Sequence, residues 1–360
     1  MPTEKAHGYQ IAKMCEEFGK KIETELIITA RKSHIKENIF EYYGLEKTFK
    51  IKKVGSFDSF KWERFLGRIA WQIQKVLFGW QIKKIKIGKE DIVYTREAEI
   101  ASIMIKKGNK VFYEGHNWPK KDKIHLEMLK KTKGIICITK GLAERYIEKG
   151  IKKEKILVAP DGVDLEKFLA VNHLSKEKAR KELKLPENRK IAVYVGSFYK
   201  WKGIDVLLKA AEKMREVIFV VAGSGKIEKE LPENVKMVGK KLKTEVPKWL
   251  LAADVLILPN SGKEDISRLY TSPLKMFEYM ASGRPIVASD LPSIREVLNE
   301  NNAVLVEPDK EESLILGIKK VLENEEMVLN IARRALDDVK KYDWKRRAEN
   351  ILEFIGVNFK

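Results

Sequence analysis

The sequence predicts an α/β fold of two doubly wound domains, each a parallel sheet covered by helices on both faces. Three observations predict it. Short apolar runs rich in Val and Ile alternate along the chain with longer segments of helical spacing, as strands buried on both faces require. At 360 residues the chain is too long for one ordinary core. Glycines such as Gly196 and Gly203 stand where strand-to-helix turns of such sheets belong.

The first set of apolar runs falls at 25–29, 91–95, 110–113, 135–139 and 156–159, and the second at 191–195, 217–222, 235–238, 255–258, 285–289 and 304–306. Between the sets, 168–189 reads as a charged helix followed by a Pro-Asn-type turn, which puts the joint there. The expected domains are 1–168 and 169–342, with a terminal helix at 343–360 packing back near the first. Residues 2–9 read as a loop and 10–20 as a helix, so the first domain lacks the opening strand that a doubly wound sheet carries. A stripe of Trp62, Phe65, Leu66, Ile69, Ile73, Val76, Leu77 and Trp80 predicts a buried helix, with Trp71 and Phe78 off the stripe beside basic residues that also suit a lipid interface.

Lys and Arg number 71 against 52 Asp and Glu, a formal net charge of +19. That excess suits nucleic acid, an anionic membrane surface or phosphorylated small molecules. Lysines that merely solvate helix faces, as where Lys176, Glu177 and Lys178 alternate, account for part of it. No RNP-like aromatic pattern, zinc-finger spacing or helix-turn-helix signature is present, which argues against nucleic acid. Cys15 and Cys137 are far apart and the five histidines are scattered, so neither a disulfide framework nor a metal site is expected. No run of about 18 apolar residues predicts a membrane span, and the N-terminus has no export pattern. The expected location is cytoplasmic.

Ligands of doubly wound sheets sit beyond the carboxyl ends of the strands. In GSFYKWKG, 196–203, the backbone at Gly196 can approach a diphosphate and Lys202 can neutralise it; a tight turn with a solvated lysine fits the same residues. AGSGKIEKEL, 222–231, is not a Walker A loop, because its spacing is short and Ile227 follows Lys226. In YTSPLKMFEYMASGRPIVASD, 270–290, Ser272 and Pro273 stand at the expected cap and first turn of a helix that Gly283 ends. Free N–H groups there suit a phosphate. Glu278, one turn in, suits sugar hydroxyls or plain solvation. VFYEGHNWP places Glu114 and His116 after a strand, where the histidine can donate a hydrogen bond to a ligand oxygen or serve structure alone.

Taken in order, His116 after its strand, APDGVDLEKF, YVGSFYKWKG, VAGSGKIEKEL and SPLKMFEYMASGRPIVASDLPSIREVL resemble the retaining GT-B glycosyltransferases of family 4. The resemblance runs from 2–18 to the final helix and is densest over 156–298. It implies two Rossmann-like domains facing a central cleft, the second holding a nucleotide-sugar donor and the first an acceptor. It further implies sugar transfer with retention of anomeric configuration, without a metal and with no cofactor beyond the nucleoside diphosphate-sugar itself.

Carried over by residue, the resemblance gives His116, Lys202 and Glu278 as the catalytic set. Glu278 binds the donor ribose, the amides of Leu274 and Lys275 the diphosphate, and those of Thr271 and Ser272 the sugar. Gly196 and Ser197 form the strand-end turn, and backbone at Val238 and Gly239 faces the base. Lys5, His7 and Gly8 lie on the acceptor side. Tyr270 replaces a glutamate usual in the family, and Ser197 an arginine, which shifts phosphate neutralisation to Lys202 with Lys200. The expected acceptor is a lipid-linked or polysaccharide glycan at the inner face of the plasma membrane, with a possible anionic membrane contact. The alternatives are a nucleotide-sugar epimerase of the same fold and an inactive nucleotide-sugar-binding protein.

Overall fold

The computed structural model describes residues 1–30, 35–55, 68–118, 122–171, 173–227 and 230–356. Each apolar run forms a strand: β1 (Glu25–Ala30), β3 (Ile92–Thr95), β4 (Lys110–Gly115), β5 (Gly134–Cys137), β6 (Ile156–Val158), β7 (Lys190–Val195), β8 (Val217–Ala222), β9 (Val235–Met237), β10 (Val255–Leu258), β11 (Ile286–Ser289) and β12 (Val304–Val306). One strand, β2 (Lys50–Gly55), was not expected. Its sequence KIKKVG carries lysines where a buried strand carries aliphatic residues, and only Ile51 and Val54 are partly covered. It pairs in parallel with β1, Glu25 opposite Lys50.

The chain divides into two units. The first holds Met1–Ile138, Leu142–Ala159 and Arg347–Lys360, and the second Thr139–Gly141 and Pro160–Arg346. In the second, six parallel strands lie in the order β12-β11-β10-β7-β8-β9. From β7 the chain winds outward through β8 and β9, then returns to β10 on the other side and winds through β11 and β12. The reversal between β7 and β10 is a topological switch point, the place where open α/β sheets bind ligands. Alternate residues of β7 feed opposite faces: Ile191 and Val193 join one apolar cluster with Leu256, Met276 and Phe277, while Ala192 and Tyr194 join another with Leu207, Phe219 and Ile318. That two-residue period with both faces covered explains why these strands read as unbroken apolar runs.

The first unit contains the four-stranded parallel sheet β3-β4-β5-β6 and, separately, the pair β1-β2. The chain enters it through the helix Ala6–Gly19. β1 and β3 each present an edge that pairs with no strand among the described residues.

The units divide ahead of the charged stretch at 168–189. Val163 donates to Tyr342 (2.9 Å), Trp344 donates to Val163 (3.2 Å) and Phe168 is buried in the second core, so this connection belongs to the second unit. The charged helix is likewise a packed element, Lys176–Glu182, capped by Ser175. Buried Arg180 donates to Ala252 O (2.9 Å) and pairs with Asp254 (2.5 Å), which also accepts from Lys176 (2.8 Å) and Ile191 N (2.7 Å). From Arg347 onward the chain lies with the first unit: the guanidinium donates to Ala159 O (3.3 and 3.2 Å), and Phe354 meets Phe112 edge-on.

The helix Arg68–Lys84 departs from expectation. Ile73, Val76 and Trp80, assigned to a buried stripe, are exposed (36%, 71% and 56%). Gly79 is covered instead, a Cβ there lying 3.1 Å from Ile103, and Ile82 is 4% exposed. Gly79 and Ile82, three residues apart, thus mark the covered side of this helix. Trp62, Phe65 and Leu66 lie outside the described residues, as do the side chains of Ile69 and Trp71. No described helix is long and apolar enough to cross a membrane.

Asp254→Asn leaves Arg180 buried beside a neutral group. Losing one partner of a buried pair costs about 3 kcal/mol, so the urea midpoint of the second unit should fall with an unchanged m-value. An unaltered midpoint would show the pair contributes nothing.

Candidate functional site

At the switch point the turns after β7, β8 and β10 pack backbone to backbone. A Cβ on Gly223 would lie 1.8 Å from Gly196 O, and one on Gly203, where φ is +72°, would lie 1.7 Å from Pro259 O. The first glycine lets the loop after β8 rest on the turn after β7, so AGSG is a close-packing turn. The second lets the helix Ile204–Lys213 start directly against the end of β10. Ser261 N (3.0 Å) and Ser267 Oγ (3.3 Å) both donate to Trp201 O. Lys202 ends the short 3-10 turn Lys200–Lys202, half-buried, its ammonium 4.0 Å from the Trp201 ring. Burial pushes it down to about 8. Lys200 is exposed, and Gly196 and Ser197 are partly covered.

The helix after β10 spans Leu274–Ala281, with Pro273 in the cap position and no side-chain cap. Ser272 was expected to cap it. Its hydroxyl instead accepts from Asp161 N (2.9 Å), so the first-turn N–H groups receive no side chain and remain suited to an anion. Thr271, Ser272, Leu274, Lys275 and Glu278 are all 6–9% exposed. Tyr270, standing where a glutamate was expected, is 6% exposed. The Glu278 carboxylate accepts from Lys243 Nζ (2.6 Å), a partner that lies 35 residues away in sequence and that no spacing rule would find. On the outer side of the sheet, Val238 N donates to Val221 O (3.1 Å) and Gly239 O accepts from Gly223 N (3.0 Å). One backbone group of each is thus spent inside the unit.

Within the second unit, then, Gly196, Ser197, Lys202, Val238, Gly239, Thr271, Ser272, Leu274, Lys275 and Glu278 all lie on or beside the carboxyl ends of parallel strands. His116, Lys5, His7 and Gly8 belong to the first unit.

There the centre is Glu114, the next-to-last residue of β4 and 1% exposed. Its carboxylate accepts from Gln10 Nε2 (2.7 Å) and Tyr94 Oη, meets His116 Nε2 at 2.5 Å and pairs with Arg347 (3.3 Å). Burial alone would raise this carboxyl; Arg347, His116 and Arg96 outweigh it and hold it well below the usual carboxylate range. A carboxylate can only accept, so His116 Nε2 carries the proton. The remaining ring nitrogen, Nδ1, then accepts when the imidazole is neutral and donates only when it is protonated. The simple donor role read from sequence therefore requires imidazolium. Arg96 reaches Gln10 Oε1 (2.5 Å). Desolvation, then Arg96, Lys5 and His116, push His7 down to about 4, so these groups share one electropositive neighbourhood. Gly8 packs where a Cβ would strike Thr3 and Tyr43, and Tyr43 Oη donates to Thr3 O (2.7 Å); Gly8 serves the loop's closure.

Sequence reasoning named Glu114 but gave it no role, and missed Gln10, Tyr94, Arg347 and Lys243. The one legible signal was a charged residue inside an otherwise apolar strand, which needs partners when buried. Among the described residues, no three His, Cys, Asp or Glu side chains converge as metal ligands do.

Glu114→Gln should cost about 3 kcal/mol at pH 7, because Arg347 loses its buried counter-charge. The Glu114 pKa is depressed on folding, so its stabilisation is fully present above the unfolded carboxyl value of about 4.3. It is lost as pH falls through the depressed value. Thermal melts should show the wild-type advantage constant from pH 7 to 5 and shrinking only in strong acid.

Residues 175–338, which lie within the second unit, match the family described as Glycosyl transferases group 1. TuaC of Bacillus subtilis, named as a teichuronic acid biosynthesis glycosyltransferase, is 29% identical over 45% of this chain and 40% of its own length. WcaI of Escherichia coli, named as a colanic acid biosynthesis glycosyl transferase, is 25% identical over 56% of this chain and 53% of its own. The chain thus spans about half the length of these relatives or less. The crystal structure of Anabaena HepE in complex with UDP and glucose superposes with a TM-score of 0.72 over 98% of this chain and 96% of that one, at 15% identity. That likeness is one of fold, and the fold is GT-B.

Proposed function

We propose that this chain is a glycosyltransferase of family 4 that moves a sugar from a nucleoside diphosphate-sugar to a lipid-linked or polysaccharide acceptor, with retention and without a metal. The observation that carries the reading is the switch point itself. Lys202, the uncapped helix start at Leu274 and Lys275, and Glu278 stand together at the carboxyl ends of parallel strands. Departure of a nucleoside diphosphate builds negative charge on phosphate oxygens. A half-buried ammonium and a helix N-terminus stabilise that charge without reorganising. Glu278 accepts from ribose hydroxyls in this reading, sharing its carboxylate with Lys243.

In this reading the acceptor hydroxyl attacks from the face the phosphate leaves, with no protein nucleophile, which gives retention; Tyr270 leaves the sugar without the carboxylate usual in the family. Within the first unit His116 is held through Nε2 by Glu114, and the resemblance assigns this histidine to the donor sugar. The names of TuaC and WcaI support an envelope polysaccharide as product, and the UDP in HepE supports a nucleotide-sugar donor. Exposed Ile73, Val76 and Trp80 beside Lys83 and Lys84, on a chain of net charge +19, support attachment to the anionic inner face of a membrane.

With the donor identified by a thermal-shift panel of nucleoside diphosphate-sugars, Lys202→Ala should lower kcat by about 10²-fold, the scale of losing one charge-stabilising group. Glu278→Ala should act mainly on KM. A wild-type protein that binds donor yet neither transfers nor hydrolyses it would make the chain an inactive sugar-nucleotide binder, a reading favoured by Ser197 and Tyr270. Release of free sugar and nucleotide indifferent to any acceptor would favour the epimerase.

Flotation with anionic liposomes should be lost in Val76→Glu/Trp80→Glu and at high salt. No flotation of the wild type at low salt removes the membrane clause.

A further inference from the structure

Lys275 is the feature the reading above leaves unused, since only its backbone amide was assigned. The residue is 6% exposed, and its Nζ has no hydrogen-bond partner among the described residues. It lies 4.0 Å from the centroid of the Tyr194 ring and 3.5 Å from where a Cβ on Gly196 would stand. Tyr194 Oη in turn donates to Ser197 O (2.9 Å). The ammonium therefore sits against the strand-end turn whose backbone was expected to approach a diphosphate, at the position left open by Ser197.

A buried lysine is ordinarily answered by a carboxylate. The carboxylate one turn along the same helix, Glu278, is engaged by Lys243 at 2.6 Å. What Lys275 faces instead is a second cation: burial first, then Lys202, drive it well below the usual lysine range, against a weaker opposing pull from Glu278. With Lys202 ending the turn that follows Gly196 and Lys275 set against Gly196 at an uncapped helix start, two cations flank a place that an anion of more than one charge fits. Lys200, exposed on the outside of its turn, does not share this position.

We propose that the side-chain ammonium of Lys275, with Lys202, is the second cation that holds the diphosphate, in place of Lys200. This rests on the reading of the switch point as a diphosphate site. The competing account makes Lys275 a structural cation on the face of Tyr194.

The test is calorimetric titration of the full chain with the nucleoside diphosphate that binds wild type, its parent nucleoside, and inorganic pyrophosphate. Lys275→Met should weaken diphosphate and pyrophosphate about 10- to 100-fold, the range for a hydrogen bond to a charged group. The nucleoside should bind as before, Lys275→Arg should stay within a few-fold of wild type, and Lys200→Met should weaken the diphosphate less than Lys275→Met does. Removing an unanswered buried charge should also raise the melting temperature of the ligand-free Lys275→Met protein. Unweakened diphosphate binding by Lys275→Met overturns the proposal, as does equal loss of nucleoside and diphosphate or a lowered melting temperature. Should Lys275→Met not fold, wild-type protein labelled with ¹⁵N in its lysine side chains is titrated with pyrophosphate, the Lys275 resonance being assigned by its absence from Lys275→Arg. A saturable shift supports the proposal and an unmoved resonance overturns it. Failure of the parent reading looks different, because wild type itself then binds no nucleoside diphosphate.

Discussion

The carbonyl of Pro259 occupies the space that any side chain on Gly203 would need, and the second unit's chemistry depends on that contact. It brings the turn after β7 against the end of β10, the two strands between which the winding reverses. Gly223 against Gly196 adds the loop after β8 on the other side. With three turns stacked by backbone alone, the side chains they carry are delivered to one place, Lys202 from one turn and the Leu274–Ala281 helix from the segment after another. A site of this kind sits on rigid strand ends and needs little of its structure from the loops themselves.

The two units bury charge in opposite ways. In the first, Glu114 is surrounded: Gln10, Tyr94, His116 and Arg347 meet a carboxylate that is 1% exposed. Such a network fixes geometry, and the geometry it fixes is the ring of His116. In the second, burial lowers both Lys202 and Lys275, and the Lys275 ammonium has no hydrogen-bond partner among the described residues. Burying a cation without a partner costs stability, and such groups concentrate at functional sites. Arg180 and Asp254 mark the contrast within the same unit, since there the buried charges are paired and hold a helix to the sheet.

The central strands of the second unit were legible because a strand buried on two faces leaves a run of Val, Ile and Leu, as at 217–222 and 255–258; β1 and β3, less covered, were read from the same apolar composition. β2 was not, because KIKKVG is half solvated and its partner β1 is distant in sequence. The glycine turns and the helix start at the switch point were readable from local chemistry, yet the cap assigned to Ser272 was wrong: Asp161, more than a hundred residues away, takes that hydroxyl.

The same limit applies to Glu114, Lys243 and Lys275. A sequence states which groups carry charge, while burial and the partner across the fold decide what the charge does. The helix Arg68–Lys84 shows the limit even for apolar residues. A 3.6-residue period defines a stripe, while the side that is covered, marked by Gly79 and Ile82, is set by what packs against it. Composition placed +19 on the chain, but the two lysines at the switch point differ from the rest through their removal from water. That property belongs to the fold.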